Sequence, residues 1–207
     1  MPTDHRLLYL VTVTTLLVVG AHGGTLAATI TVGTTNSIGD TVPTGGTTLQ
    51  VSTMLSSAAG SAVFHAVGLQ FGGTLTIACP ADASSYTKPL FVTIINGTTL
   101  IAMTASAHIR ISGVLGGGSR VSITGGSYTY VNANPSYFVR ATADLTITDS
   151  STMEIVGTSF TVPPSFTAGG DTAVLYARSS PITLSANSTL SIYGTTIGAY
   201  NVSVTGN

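Results

Sequence analysis

The sequence predicts an all-β fold, wound as a right-handed parallel β-helix (β-solenoid) behind an N-terminal leader, and repetition and composition carry the prediction. One short phrase recurs as Ile95-Asn-Gly-Thr-Thr-Leu100, Ile123-Thr-Gly-Gly-Ser-Tyr128, Ile155-Val-Gly-Thr-Ser-Phe160 and Ile192-Tyr-Gly-Thr-Thr-Ile197. Self-similarity at this spacing is the mark of stacked repeats. The residues between the copies are Val, Ile, Leu and Thr in alternating runs, broken by Gly, Asn, Asp and Ser, which is strand and turn chemistry. With 36 Thr, 23 Ser and 24 Gly but no Trp, the chain suits short strands and tight corners.

Residues 1–23 read as a secretory signal peptide. Arg6 supplies a positive start, Leu7 to Val19 an apolar stretch, and Ala21-His22-Gly23 a small-x-small cleavage site. The alternative is an uncleaved anchor, for which the stretch is short, since a spanning helix takes roughly 18 or more apolar residues. Residues 24–62 form an N-terminal region or cap, and 63–207 the solenoid repeats.

Within the repeats, Tyr137 to Phe160 aligns with Val174 to Ile197 at a constant offset of 37 residues. Leu145-Thr-Ile147 matches Ile182-Thr-Leu184, and Met153-Glu-Ile155 matches Leu190-Ser-Ile192. The preceding copy places Ile109-Arg-Ile111 against Leu145-Thr-Ile147, with extra residues assigned to a wide turn around Gly116 to Gly118. Leu75-Thr-Ile77 begins a looser copy with an expanded turn from Cys79 to Lys88. Two architectures fit. In a parallel β-helix, Ile123, Ile155 and Ile192 stack as neighbours about 4.8 Å apart. In an antiparallel β-sandwich, Leu145-Thr-Ile147 folds back on Met153-Glu-Ile155 as a hairpin. Register-matched repeats favour the β-helix. Nothing after Ile197 reads as a polar cap, so the last repeat is expected to leave a bare edge open to edge-to-edge pairing.

A leader followed by Thr/Ser/Gly-rich repeats such as Leu145-Thr-Ile-Thr-Asp-Ser and Leu190-Ser-Ile-Tyr-Gly-Thr-Thr is similar to the β-helical surface proteins of protozoa. It resembles most the dispersed gene family of kinetoplastid membrane-associated proteins. The likeness covers residues 60 to 207 and rests on the style of the repeat. It implies surface display and adhesion, and it transfers no catalytic residue. Members of that family are far longer and usually end in membrane spans, and no such span is expected in this sequence.

Chemistry is sparse. Many parallel β-helices cleave polysaccharides, and glycoside hydrolysis needs two carboxylates across a bond. Asp144, Asp149 and Glu154, near Arg140, are the one acidic cluster and read as solvent-facing charges on a sheet surface. His65 and His108 have no metal-ligand spacing, and His108 is expected at an exposed edge. Gly116-Gly-Gly-Ser-Arg120 lacks the Lys and following helix of a phosphate loop. The expectation is therefore no enzyme, no metal and no cofactor. Six Lys and Arg, scattered along the chain, argue against nucleic acid. The partners expected are cell-surface proteins or glycans, met by an outward row of Tyr128, Tyr130, Tyr137, Tyr193 and Tyr200. Secretion would make Asn96, Asn187 and Asn201 glycosylation acceptors in their Asn-x-Ser/Thr triplets. Cys79 is the single cysteine and is expected to be buried beside Ile77.

Overall fold

Alternation of apolar residues with Thr and Ser is what builds the sheets. In Leu90–Asn96, for instance, Leu90, Val92 and Ile94 turn inward while Phe91, Thr93 and Ile95 turn out. The structure is a computed structural model describing residues 14–15, 29–30, 41–42, 45–58, 60–97, 99–101, 107–129, 136–161, 172–177, 181–194 and 196–198. Residues 1–23 lie outside the described residues except for Thr14–Thr15, which pairs antiparallel with Thr29–Ile30.

The remaining strands form three parallel sheets. The first stacks Thr41–Val42, Ala62–Phe71, Leu90–Asn96, Arg120–Thr124, Thr152–Val156 and Thr189–Tyr193. The second stacks Thr47–Gln50, Leu75–Ala78, Ala107–Leu115 and Ser136–Ile147, and on the last of these both Thr172–Tyr176 and Ile182–Leu184. The third stacks Thr99–Ile101, Ser127–Thr129, Ser159–Thr161 and Thr196–Gly198. From residue 107 onward the chain visits second, first and third sheets in that order, three times over.

Like residues meet across these ladders. Ile94 faces Ile123, Ile123 faces Ile155 and Ile155 faces Ile192. The first three are fully buried, and Ile192 is 44% exposed because its strand is the last described in the sheet. The expected isoleucine file is therefore present, with a partly open final member. Leu145–Ile147 and Met153–Ile155 belong to different sheets, so the hairpin of the antiparallel sandwich does not form.

Several registers differ from those expected. Ile109-Arg-Ile111 lies beside Val139-Arg-Ala141, and Leu145-Thr-Ile147 lies beside Gly113-Val-Leu115. The earlier copy therefore has no extra residues and its Gly116 turn is as short as its counterparts; the later strand is the longer one, bulged between Ala141 and Leu145. At the other matched pair, Tyr137 faces Ala173, one residue short of the gapless alignment. The first phrase slips too. Ile94, not Ile95, stands in the isoleucine file, and a slip of one residue turns a side chain to the opposite face.

The corners between second and first sheets share one conformation. Gly117 and Gly118, Asp149 and Ser150, and Ala186 and Asn187 all have φ between 49° and 69°. Two consecutive left-handed residues make the sharp turn that fits twisted strands. Each turn closes on itself, Ser119 N–H donating to Gly116 O, Ser151 to Thr148 O and Ser188 to Ser185 O. Neighbouring turns are joined as well, through Gly118 N–H to Asp149 O and Ser150 N–H to Ala186 O. The serine after each turn is buried or half-buried and completes the corner. Ser119 Oγ accepts from Leu90 N–H at 2.9 Å, Ser151 Oγ from Ser119 N–H at 3.1 Å, and Ser188 Oγ donates to Ile147 O at 2.6 Å.

A helix, Val51–Ser57, closes the opposite end. Val51, Met54 and Leu55 are buried in the same core as Phe64, Leu75 and Ile77. Lys88 Nζ donates to the Ala58 carbonyl just beyond it. Among the described residues no helix is long and apolar enough to cross a membrane.

Truncating the file should report its geometry. Ile123→Ala removes a fully buried side chain and is expected to cost about 2–5 kcal/mol, and Ile192→Ala less than half of that. Denaturant titration of both variants checks the ratio. At the corner, Ala186 holds φ 49° with a Cβ, a conformation that costs roughly 1–2 kcal/mol outside glycine. After the entropy glycine adds to the unfolded chain, Ala186→Gly is expected to stabilise by about 0.5–1 kcal/mol, read as a raised melting temperature.

Candidate functional site

The outward face of the first sheet carries the strongest polar constellation among the described residues. Parallel register sets Ser122, Glu154 and Ser191 side by side, flanked by Arg120 in one row and Tyr193 in the other. Arg120 Nη2 donates to Glu154 Oε1 at 2.7 Å and Nε to the same oxygen at 3.2 Å. Tyr193 Oη donates to Glu154 Oε2 at 3.4 Å. The Glu154 carboxylate is thus nearly covered, while the Arg120 side chain is 56% exposed and Tyr193 is 51% exposed. Burial of the carboxylate opposes its ionisation, but hydrogen bonds from Arg120, Ser122 and Tyr193 and the guanidinium charge outweigh it. Glu154 is held below the usual carboxylate range. A carboxylate so bound is a poor proton donor and a good anchor for an exposed guanidinium and phenol ring.

The expected acidic cluster is not assembled around it. Glu154 was expected to face solvent and instead lies beneath Arg120 and Tyr193. Asp144 is exposed on the bulged strand, and Asp149 is exposed in a corner turn. Arg140 lies elsewhere, 5.8 Å from the Tyr137 ring centroid and 6.0 Å from that of Tyr176. Tyr137 is buried and stacks on Tyr176 at 3.8 Å with 7° between planes, so it belongs to no outward row. Tyr128 lies in register with Leu100 and Phe160, while Tyr130 and Tyr200 lie outside the described residues.

His108 is the clearest departure from expectation. It is 1% exposed, not at an edge, because the bulge moves its counterpart from Asp144 to Phe138. Phe71 meets its ring edge-on at 5.2 Å and Phe138 lies 6.4 Å away. Burial pushes its imidazole down to about 4. His65 stands opposite Thr93 on a half-buried stretch of the first sheet. Among the described residues no group of three His, Cys, Asp or Glu is placed to hold a metal ion.

Cys79 is half-buried against the core. Desolvation pushes its thiol up to about 11 despite a hydrogen bond with Tyr86, so it stays protonated and unreactive near neutrality. Tyr86 Oη in turn donates to Val114 O at 2.6 Å, tying the expanded Cys79–Lys88 turn to the next strand.

The sequons differ sharply in setting. Asn96 is 7% exposed, and its Nδ2, the atom a glycan would use, donates to Gly125 O at 3.0 Å. It is the additional residue that shifts the first phrase, buried at the end of its strand. Asn187 is exposed at the second left-handed position of its corner. Asn201 lies outside the described residues. What the sequence missed here, buried Asn96 and His108, would have needed the bulge positions to be known.

Comparison with protein-family models, curated proteins and solved structures found no match to the chain.

His108 gives the fold a pH dependence with a defined sign. Its folded value lies below its unfolded value of about 6.5, so the neutral ring is favoured by folding. That contribution is complete above pH 6.5 and is lost as pH falls from 6.5 towards 4. The span corresponds to on the order of 3 kcal/mol. His108→Phe, which copies Phe138 in the neighbouring repeat, is expected to flatten stability over this window in denaturant titrations at several pH values.

Proposed function

We propose that this chain is a secreted or cell-surface β-solenoid segment with a structural and adhesive role and no catalysis. The single observation that carries the reading is the register itself. The first and second parallel sheets share one core, and from residue 107 onward the chain visits all three sheets in a fixed order. Winding them as a right-handed β-helix follows from the strong preference of parallel crossover connections for that hand. A stack of this kind spends its apolar residues on the interior and presents long flat faces, which suits display. The similarity in repeat style to protozoan surface proteins, the signal-peptide anatomy of residues 1–23 and the Thr/Ser-rich outward positions support the same reading.

A second reading is polysaccharide binding on the first sheet's outer face, favoured by Tyr193 and Arg120 held around Glu154. Exposed phenol and guanidinium groups on a rigid floor are the chemistry that stacks on and hydrogen-bonds a sugar.

Expression of the full chain in a eukaryotic secretory host tests the proposal. Expected are export, an N-terminus near Gly24, and an enzymatically removable glycan at Asn187, seen as a loss of mass in Asn187→Gln and no loss in Asn96→Gln. Retention of an uncleaved chain inside the cell would sink it. Glycan-array binding that is lost in Tyr193→Ala would promote the second reading.

A further inference from the structure

The strand Thr189–Tyr193 is the outermost described strand of the first sheet. Its Thr189 N–H donates to Ser151 O at 2.9 Å, and its Tyr193 carbonyl accepts from Gly157 N–H at 3.1 Å. In a parallel ladder, alternate residues send both backbone groups to the same neighbour. Thr189, Ser191 and Tyr193 therefore bond to Thr152–Val156, and Leu190 and Ile192 turn their N–H and C=O to the open side. The core is open there too. Ile192 and Leu184 are 44% and 49% exposed, whereas their counterparts Ile155 and Ile147 are fully buried. Sheet edges are ordinarily guarded by charge, yet Thr189–Tyr193 carries no Lys, Arg, Asp or Glu.

We propose that two copies of the chain join at this edge, Thr189–Tyr193 of one pairing antiparallel with the same strand of the other about a two-fold axis at Ser191. The segment is self-complementary about that point. Leu190 falls opposite Ile192 of the second copy, at the positions where antiparallel residues exchange both N–H···O=C bonds. These are the residues whose backbone groups are turned outward. Their side chains both face inward, so each Ile192 is covered by a leucine and the two cores become continuous. The same strand serves on both copies, so the contact is isologous and yields a closed pair, not a fibre. The pairing needs only the ladder and its edge, and it holds whether or not the chain is displayed on a surface.

The full chain is tested by light scattering at micromolar concentration, with a dimer mass expected. Ile192→Lys puts a charge into the joined core, and Leu190→Pro deletes an edge N–H without touching a bond to Thr152–Val156. Both are expected to give monomers with unchanged sheet circular dichroism. Ser191→Cys supplies the positive arm. At the two-fold axis the paired residues form a non-hydrogen-bonded pair with Cα atoms about 4.5 Å apart, within disulfide reach. The variant should form a reducible covalent dimer that the parent chain, with Cys79 alone, does not. A monomeric parent chain, a dimer that both edge variants leave intact, or cross-linking through Thr183→Cys in place of Ser191→Cys would overturn the proposal. So would open polymers, and so would occupation of the edge by residues 199–207, seen as a monomer whose Ser191→Cys thiol stays free.

Discussion

Parallel backbone pairing in matched register is the constraint from which the rest of this molecule follows. Once Ile94, Ile123, Ile155 and Ile192 are fixed opposite one another, every inward position of the first sheet repeats and every outward one does too. The interior is then a set of files. Leu49, Ile77, Ile111 and Ala141 make one in the second sheet, and Leu115 and Ile147 begin another that ends at Leu184. Such files remove apolar surface from water at about 25 cal/mol per Å². They do so without a disulfide, since the chain has one cysteine. Corners are where the constraint is hardest to satisfy, because each turn must leave its own amides bonded and still pass a strand to the next sheet. The two left-handed residues followed by a covered serine meet both demands at once, and the same arrangement recurs at Gly117–Ser119, Asp149–Ser151 and Ala186–Ser188.

Much of this was legible in the sequence, and the limit of legibility has a physical cause. The match of Leu145-Thr-Ile147 to Ile182-Thr-Leu184, and of Met153-Glu-Ile155 to Leu190-Ser-Ile192, is the actual strand pairing. Strand content follows from alternation, which is a local property. Register across a bulge does not. The strand Ser136–Ile147 takes up additional residues between Ala141 and Leu145 without ending, so nothing in the sequence marks the place. An alignment that sets Ile109 against Leu145 and assigns extra residues to the glycine-rich turn of the earlier copy, where loops ordinarily grow, moves His108 from an aromatic interior to an edge. Asn96 fails for the same reason, since one added residue carried its side chain from surface to interior. The helix Val51–Ser57 was invisible because Val51 and Thr53 are weak helix formers, and the helix is held by burying Met54 and Leu55 against the first strands.

Electrostatics divides the molecule in the same way. The interior contains a histidine that burial holds neutral, and the charged pair Arg120–Glu154 sits on an outer face across neighbouring repeats. Outward files thus place side chains from separate turns of the chain within bonding distance, as Ser122, Glu154 and Tyr193 show. A recognition surface on such a fold is written across rungs, so its specificity is spread among residues distant in sequence.

The closed end has a consequence for how the molecule is made. Synthesis delivers the helix Val51–Ser57 before the strands that stack beyond it. Each later strand then meets a finished template, from Leu90–Asn96 on Ala62–Phe71 to Thr189–Tyr193 on Thr152–Val156. Assembly can proceed vectorially from the ribosome, one layer at a time, with no wait for a distant partner still to be translated.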